Sequence, residues 1–348
     1  MFSGCGGLDL GFKQAGFEIV YADDFDKTVW ETFERNHGLR IDRRPLAEVA
    51  VGEIPDAEGI IGGPPCQSWS VAGARRGMDD PRGRAFCDYI RIIKGKNPLF
   101  FCAENVPGIM SSTHLSEFNK ILNHFKKMGY KANVEVLDAR NYGVPQSRRR
   151  VFVVGYRADL GRDFVFPEPT HLEPKGRLFG DTIGNWVTLR DALTDLPPAV
   201  PANGTSTPNE QLQVPNHEYM NGSLSTIYMS RDRRKSWDEP SYTIPAKWRH
   251  APLHPDSSKM RRIGVDQCEF EDPERAFRRL SVRECARIQT FPDDFVFYYD
   301  HVGRGYKMVG NAVPVRLAEA IANQIREDIE PARRISKFQK RGVRTTCQ

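Results

Sequence analysis

The chain is 348 residues long, a length that fits two domains or one large α/β domain. Its hydrophobic content of 39% and aromatic content of 10% supply a sizeable core and exclude a wholly disordered chain, and no apolar run reaches the roughly 18–20 residues of a membrane span. The 50 basic and 45 acidic residues leave a net charge of +5, which is compatible with a nucleic-acid partner but does not require one.

Strand-like and helix-like segments alternate through residues 1–165. The predicted strands are the apolar segments 17–22, 59–62, 98–103 and 151–156, and the predicted helices span 28–36, 85–94 and 115–128. This alternation is typical of an α/β protein with a mostly parallel sheet and helices on both faces.

The composition changes after this first region. Residues 166–277 are rich in Pro, Gly, Ser, Asn and Thr, with only short β-like pieces, and predict a smaller, irregular, β-rich domain. Helical patterns return in 278–330 and complete the first domain. The last segment, 331–348, has six basic residues and no acidic one, and we expect a solvated or disordered tail.

The seven cysteines are spread along the chain without a Cys-x-x-Cys pair. This pattern argues against a disulfide framework and against a structural zinc site. We therefore expect reduced thiols in a cytoplasmic protein, with no metal, and one of the thiols could be a nucleophile.

Residues 2–11 carry a cluster of glycines. Glycines let a backbone approach a ligand closely where a strand turns into a helix, although an isolated cluster is about as often a tight turn without a ligand. Asp23 and Asp24 follow the next predicted strand, where a carboxylate can accept a hydrogen bond from a ribose hydroxyl. The alternative for either aspartate is a cap on the helix predicted at 28–36.

Cys66 follows the strand end and the sequence Gly-Gly-Pro-Pro at 62–65, which places it on a rigid loop. An isolated cysteine is more often an inert buried thiol, which is our interpretation of Cys87, Cys102 and Cys285. Cys66 differs because prolines and polar residues flank it, and because nearby arginines could lower the pKa of its thiol.

Glu104 comes directly after the apolar strand at 98–103, at the same sheet edge as the Cys66 loop. A partly buried carboxyl there would have a raised pKa and could carry a proton. In the run of three arginines before the last strand, alternation puts Arg148 and Arg150 on one side and Arg149 on the other. Two guanidinium groups on one side suit a phosphate or a charged intermediate, and the alternative is a solvated basic turn.

Taken together and in this order, the segments resemble the DNA (cytosine-5)-methyltransferase family, and the bacterial restriction–modification enzymes most of all. The resemblance covers nearly the whole chain and rests on six segments: 2–11, 63–68, 104–106, 146–150, 283–292 and 310–314. It implies a Rossmann-like methyltransferase fold, with S-adenosylmethionine as the methyl donor and duplex DNA as the substrate.

The resemblance also implies roles for individual residues. Cys66 would attack carbon 6 of a flipped cytosine, Glu104 would hold the ring N3 and exocyclic amine, and Arg148 and Arg150 would help to position the base. The residues expected to bind the donor are Phe2, Gly4, Gly6, Gly7, Asp24, Pro65, Asn311 and Ala312.

By the same resemblance, residues 166–277 would form the target-recognition domain. Arginine and lysine side chains there can read guanine or grip phosphate, and several of them could equally be solvated loop charges. The residues expected to contact DNA are Gln67, Ser68, Arg231, Arg233, Thr243, Ile244, Lys247 and Arg249. We expect a monomer, with a restriction endonuclease of the same DNA site as a possible partner.

Three alternatives remain at this point. The chain could be an RNA (tRNA) cytosine-5 methyltransferase of the same fold, or a DNA-binding homologue with an impaired active site; a dinucleotide dehydrogenase would explain only the glycine cluster. In the family, an apolar strand precedes the glycine segment, whereas this sequence begins at that segment. We expect that adding roughly ten residues of strand would raise the melting temperature and the donor affinity.

Overall fold

A four-stranded sheet with helices on both faces organises the first part of the chain in the computed structural model. The structure describes residues 1–65, 81–173, 183–203, 207–209, 212–222 and 224–342, with the backbone alone at 81–84, 332 and 334–342. The elements of this part are helices α1 (Gly7–Gln14) and α2 (Trp30–His37), strand β1 (Gly59–Gly62), helix α3 (Pro81–Lys96), strand β2 (Phe100–Asn105), helix α4 (Leu115–Lys127), and strands β3 (Tyr130–Asp138) and β4 (Arg149–Arg157).

The strand order in the sheet is β1-β2-β4-β3. β1 and β2 are parallel, whereas β4 is antiparallel to both of its neighbours, so this sheet is mixed where we predicted a mostly parallel one. The reason lies in the chain between β3 and β4, residues 139–148. A connection this short permits antiparallel pairing, but a parallel return needs a crossover of about a dozen or more residues.

The alternation of side chains along β2 builds two separate cores. Phe100 and Cys102 pack on one face of the sheet with residues of α1 and of the last helix of the chain, and Phe101 and Ala103 pack on the other face with residues of α3 and α4. All four residues are at most 3% exposed. Successive side chains of a strand point to opposite faces, so an uninterrupted apolar strand implies helices on both sides, as predicted.

The segment predicted as a strand at 17–22 does not become one. In the described part of the chain, its pairing is limited to its end, where Asp23 forms a bridge with Asp42. The amino group of Met1 donates to the Ile61 carbonyl at 2.7 Å, and the Ser3 amide donates to the Asp23 carbonyl at 3.0 Å. Residues 1–3 therefore lie between β1 and Asp23, and a cavity of about 470 Å³ adjoins them.

In the described parts of residues 166–277 regular structure is sparse, as the composition predicted. The strands of these parts pair in twos: β5 with β6 and β7 with β8 in parallel, and β9 with β10 antiparallel. The elements here are β5 (His171–Leu172), β6 (Gly184–Asn185), α5 (Leu189–Leu193), β7 (Val200–Pro201), β8 (Glu218–Tyr219), β9 (Met260–Gly264) and β10 (Gln267–Phe270).

Three helices complete the chain: α6 (Val282–Ile288), α7 (Val302–Asn311) and α8 (Val315–Gly342). α8 continues through Pro331 to Gly342, so of the two expectations for the tail, solvated or disordered, the second does not hold for the helical backbone of 331–342, and the first stays a prediction. Contacts within this stretch help to explain the difference, because Arg333 pairs with Glu58 and lies 4.9 Å from the centre of the Phe17 ring. Among the described residues, no helix is both long and apolar enough to cross a bilayer.

The packing of α1 on α8 leads to a test of the fold. A Cβ atom at Gly11 would lie 2.4 Å from the Cβ of Ala318 and 2.7 Å from the Val315 carbonyl oxygen. Gly11→Ala should therefore lower the free energy of unfolding by about 1–3 kcal/mol through overpacking, although alanine is the better helix former. Chemical denaturation measures the change.

Gly108→Ala is the matched control, because an added Cβ there meets nothing within 4 Å. We expect it to change stability by less than about 0.5 kcal/mol. A Gly11→Ala protein as stable as this control would contradict the packing described.

Candidate active site

A cavity of about 590 Å³ opens at the carboxyl ends of β1 and β2. This is the edge where ligands bind in open α/β sheets, and its volume is typical of a small-molecule site. It gathers most of the predicted site residues that the structure describes: Phe2, Gly4, Gly7, Asp24, Pro65, Glu104, Arg148, Arg150, Asn311 and Ala312. Within the described ranges, no group of His, Cys, Asp or Glu is arranged to hold a metal ion.

The glycine segment takes the backbone conformations that favour glycine. Gly4 has φ of 56° and Gly6 has φ of 89°, both in the left-handed region that side chains disfavour. Gly6 precedes α1 and lies against the ring of His37, so that a Cβ there would be 2.0 Å from the imidazole Nε2. Gly6 thus lets the loop pack against His37, while Gly4 and Gly7 line the cavity.

Asp23 and Asp24 have different environments. Asp24 lines the cavity and accepts hydrogen bonds from the amides of Gly4 at 2.9 Å and Asp26 at 2.8 Å, while burial raises the pKa of its carboxyl. Asp23 is 1% exposed, accepts from the Phe2 amide, and burial raises its pKa to about 6. The turn before α2 is held instead by Asp26, which accepts from Thr28, so the capping alternative is wrong for both Asp23 and Asp24.

Phe25 is a site residue that the sequence analysis missed. Its side chain is 62% exposed and lines the cavity next to Asp24. A large apolar residue between two acidic residues in a loop was the available signal, because an exposed aromatic ring beside a cavity offers a flat surface for stacking. Lys307 also lines the cavity, with its ammonium group paired to Asp26 at 2.5 Å.

Glu104 and Arg150 form an ion pair in the cavity, close to Gly63. The guanidinium Nε lies 2.8 Å from the carboxylate Oε1, and the two side chains are only 14% and 13% exposed. Burial raises the pKa of Glu104, and the charges of Arg150 and Arg148 oppose that shift. A carboxyl with a raised pKa keeps a protonated population that can donate a hydrogen bond as well as accept one.

The loop that leads to Cys66 is fixed against the same strand end. The Asn105 side chain donates to the Pro64 carbonyl at 3.0 Å, and a Cβ at Gly63 would lie 3.3 Å from the Glu104 carboxylate. Pro65 is the last described residue before the gap. Cys66, and with it Gln67 and Ser68, lies outside the described residues, so their predicted roles stay predictions.

Arg148 differs from the prediction. It is 1% exposed, and its terminal nitrogens donate to the carbonyls of Ile244, Gly310 and Ala312 at 2.8–3.1 Å. Burial, with the nearby charge of Arg150, lowers its pKa to about 9, so the group is still charged near neutral pH. The alternation of the sequence correctly placed Arg148 on the other side of the strand from the exposed Arg149. It could not show that the terminal nitrogens of Arg148, which we expected to reach a base or a phosphate, donate to backbone carbonyls instead.

The residues predicted to contact DNA fall into two groups. Ile244 is buried, and its amide donates to the Gln146 side chain, so it serves the protein interior. Arg231, Thr243, Lys247 and Arg249 are exposed, and Arg233 is half-buried with its guanidinium bonded to the carbonyls of Tyr228 and Ile227. Burial, together with the charges of Arg233, Lys247 and Arg231, lowers the pKa of His250.

The comparisons with known proteins agree with this geometry. A family model of C-5 cytosine-specific DNA methylases matches residues 1–327. The chain belongs to this family. This methyltransferase is 56% identical over 332 residues to the type II methyltransferase M.MthTI of Methanothermobacter thermautotrophicus, covering 94% of this chain and 96% of that protein.

Further relatives support the same assignment. The type II methyltransferase M.FnuDI of Fusobacterium nucleatum is 46% identical, with 97% of this chain and 96% of that protein covered. Among solved structures, a prophage-encoded DNA modification methyltransferase of E. coli superposes with a TM-score of 0.71 at 25% identity, covering 94% of this chain and 98% of that one. The predicted family, fold class and enzyme class, a DNA (cytosine-5)-methyltransferase, are thereby confirmed.

The Glu104–Arg150 pair predicts a pH-dependent stability difference. Arg150→Met should lower the free energy of unfolding at neutral pH by about 3–5 kcal/mol, because it leaves a buried carboxylate without its partner. The pKa of Glu104, already raised by burial, then rises further, and ionised Glu104 opposes folding. As the pH falls through that raised pKa the carboxyl is protonated and the penalty disappears, so the difference from wild type should shrink in acid.

Arg149→Met is the control, since Arg149 is the exposed neighbour in the same run. It should change stability by less than about 0.5 kcal/mol at any pH tested. Denaturation curves of both variants and the wild type at several pH values measure these differences. If the loss of stability in Arg150→Met became larger in acid, the ion pair between Glu104 and Arg150 would be refuted.

Proposed function

We propose that this methyltransferase transfers the methyl group of S-adenosylmethionine to carbon 5 of a flipped cytosine in a specific duplex DNA sequence, through a covalent Cys66 adduct at carbon 6. The observation that carries the proposal is the buried Glu104–Arg150 pair, which shares one cavity with the glycine segment and with Asp24. A carboxyl of raised pKa beside a cation can form hydrogen bonds with the polar edge of a base. The adjacent loop leads to the predicted nucleophile, Cys66.

The residues of the cavity fit the methyl donor. Asp24 presents a carboxylate for ribose hydroxyls, the exposed Phe25 ring offers a face for the adenine, and Asn311 and Ala312, which line the same cavity, are assigned to the methionine end. The backbone of Gly4 lies open to the cavity, because an added Cβ there would meet nothing within 4 Å. S-adenosylmethionine supplies an electrophilic methyl group when it is bound.

Carbon 5 of cytosine is a poor nucleophile, and in the proposal side chains of the protein activate it. The Cys66 thiolate adds to carbon 6, and the electrons of the 5,6 double bond make carbon 5 reactive. Protonated Glu104 donates to the ring N3 as negative charge builds there, with Arg150 fixing its orientation. Once carbon 5 carries the methyl group and S-adenosylhomocysteine has been formed, the carbon 5 proton is lost to solvent water, which restores the 5,6 double bond and expels Cys66 as a thiolate.

Access to that cavity requires the cytosine to leave the helix stack. Carbons 5 and 6 cannot meet a thiolate and a methyl donor inside the duplex, so the base must be flipped out. In the proposal, residues 166–277 read the DNA, and the exposed Arg231, Lys247 and Arg249 contact base edges or phosphates. Two of them, Arg231 and Lys247, carry charges that act on His250 together with that of Arg233, which supports this part of the proposal.

The biological setting is part of the proposal as well. The type II names of its relatives favour a restriction–modification role, in which a restriction endonuclease cuts the same site when it is unmethylated. We propose a cytoplasmic location, because the proposed substrate is DNA and the predicted nucleophile is a reduced thiol, and the expectation of a monomer stays a prediction.

The nucleophile is tested by Cys66→Ser. Transfer of labelled methyl from S-adenosylmethionine to plasmid DNA should fall by at least about four orders of magnitude, because the reaction loses its covalent step. Cys87→Ser, a change at an exposed position of α3, is the matched control and should retain wild-type transfer. Full activity of Cys66→Ser, or transfer to tRNA but not to DNA by the wild type, would overturn the proposal.

Glu104→Gln separates catalysis from donor binding. The amide keeps the shape of the side chain but cannot act as an acid, so methyl transfer should fall by about 10²–10⁴-fold. The affinity for S-adenosylhomocysteine, measured by calorimetry, should stay within about threefold of wild type if Glu104 serves the base alone. An equal loss in both measurements would place Glu104 at the donor instead.

A further inference from the structure

A buried junction joins the two parts of the enzyme behind the cavity. It consists of three segments, 145–148, 241–246 and 309–312, together with the side chain of Gln289. The side chains at its centre, Gln146, Arg148, Ile244 and Gln289, are all at most 1% exposed. Segment 241–246 belongs to the region proposed to read DNA, and segment 309–312 lines the wall proposed for the donor.

Segment 241–246 is fixed to segment 145–148 by backbone and side-chain hydrogen bonds. The Ser147 amide donates to the Ser241 carbonyl, and the Ser241 amide donates to the Pro145 carbonyl, both at 2.9 Å. The Ile244 amide donates to the Gln146 side chain at 2.7 Å, and the Thr243 hydroxyl donates to the Ser147 carbonyl. The segment therefore cannot shift without breaking these bonds, of which the bond between Ile244 and Gln146 is buried.

Segment 309–312 is fixed from the other side. Gln289 accepts from the Gln146 side chain at 2.8 Å and donates to the carbonyls of Val309 at 2.7 Å and Ala312 at 3.2 Å. Gly310 lies directly on segment 241–246, because a Cβ there would be 2.4 Å from the backbone of Pro245 and Ala246. The DNA-facing and donor-facing segments thus touch at the level of the backbone.

Arg148 spans both segments with one charged group. It donates to the Ile244 carbonyl at 3.1 Å, and to the carbonyls of Gly310 at 2.8 Å and Ala312 at 3.0 Å. These three carbonyl dipoles are the described hydrogen-bond partners of a buried cation. If either segment moves away, the Arg148 guanidinium loses hydrogen bonds to carbonyls. The loss raises the free energy, because a buried charge needs such partners.

We propose that Arg148 is a positioning residue that couples DNA binding to donor binding, by holding segment 241–246 and segment 309–312 in one mutual arrangement. This rests on the proposed function, which assigns the two segments to the two substrates. When DNA binds and fixes segment 241–246, segment 309–312 is held in the arrangement that binds the donor. When the donor binds first, segment 241–246 is held in the arrangement that binds DNA. Such coupling is reciprocal, and it typically amounts to 5–150-fold in affinity.

The test compares donor-site affinity with and without DNA. The affinity for S-adenosylhomocysteine is measured by calorimetry, first alone and then with saturating duplex DNA that contains the sites mapped by bisulfite sequencing of wild-type product. We expect DNA to tighten binding by at least about tenfold in the wild type. In Arg148→Met the ratio should fall to within about twofold of unity, and Arg148→Lys, which keeps the charge, should recover part of it.

Arg149→Met is the matched control, because it removes the same group from the exposed neighbour, and its ratio should equal that of the wild type. If Arg148→Met does not fold, Gln146→Leu replaces it, since this change removes the bond to the Ile244 amide and should also lower the ratio. An unchanged ratio in the folded variant overturns the coupling. If the wild type transfers no methyl group to DNA, the proposed function itself has failed, which is a separate outcome.

Discussion

The buried ion pair between Glu104 and Arg150 is the interaction on which the rest of the site depends. Two adjacent strands supply it: Glu104 lies near the end of β2, opposite Phe152 of the antiparallel β4, and Arg150 lies near the start of β4. The carboxyl is removed from water, which raises its pKa, and it is kept from becoming an uncompensated buried charge by the guanidinium. The pair shares its cavity with the glycine segment, with Asp24 and with residues 63–65, which lead to Cys66.

Two arginines at the start of β4 have different partners. Arg150, within the strand, pairs with Glu104, whereas Arg148, the residue before the strand, is buried and donates to three backbone carbonyls, although both line the cavity. One arginine, Arg150, therefore influences the pKa of Glu104, and the other, Arg148, joins segments 241–246 and 309–312. This division suits an enzyme that has to bring together two different substrates, because the chemistry and the relative placement of the binding walls are then controlled by separate residues.

Much of the site was predictable because polar residues at strand ends interrupt apolar runs. Glu104 could be placed at the sheet edge from that pattern, whereas Asp24 and the glycine segment were assigned to the donor through the family resemblance, and the strand predicted before Asp24 does not form. Long-range contacts were not predictable: the three carbonyls around Arg148 come from residues 96 to 164 positions away. For the same reason the mixed sheet and the helical continuation beyond Pro331 were missed, since the first depends on how β3 and β4 meet, and the second is accompanied by contacts of Arg333 with Glu58 and Phe17.

The most direct test of this account is a crystal structure of the enzyme trapped on duplex DNA that carries 5-fluorocytosine at a mapped site, in the presence of S-adenosylmethionine. Fluorine at carbon 5 cannot leave as a proton does, so the adduct should persist. The account predicts a bond between the Cys66 sulfur and carbon 6, and the Glu104 carboxyl within about 3.2 Å of the ring N3 while still paired with Arg150. A flipped base bound elsewhere, or one that Glu104 does not touch, would contradict it.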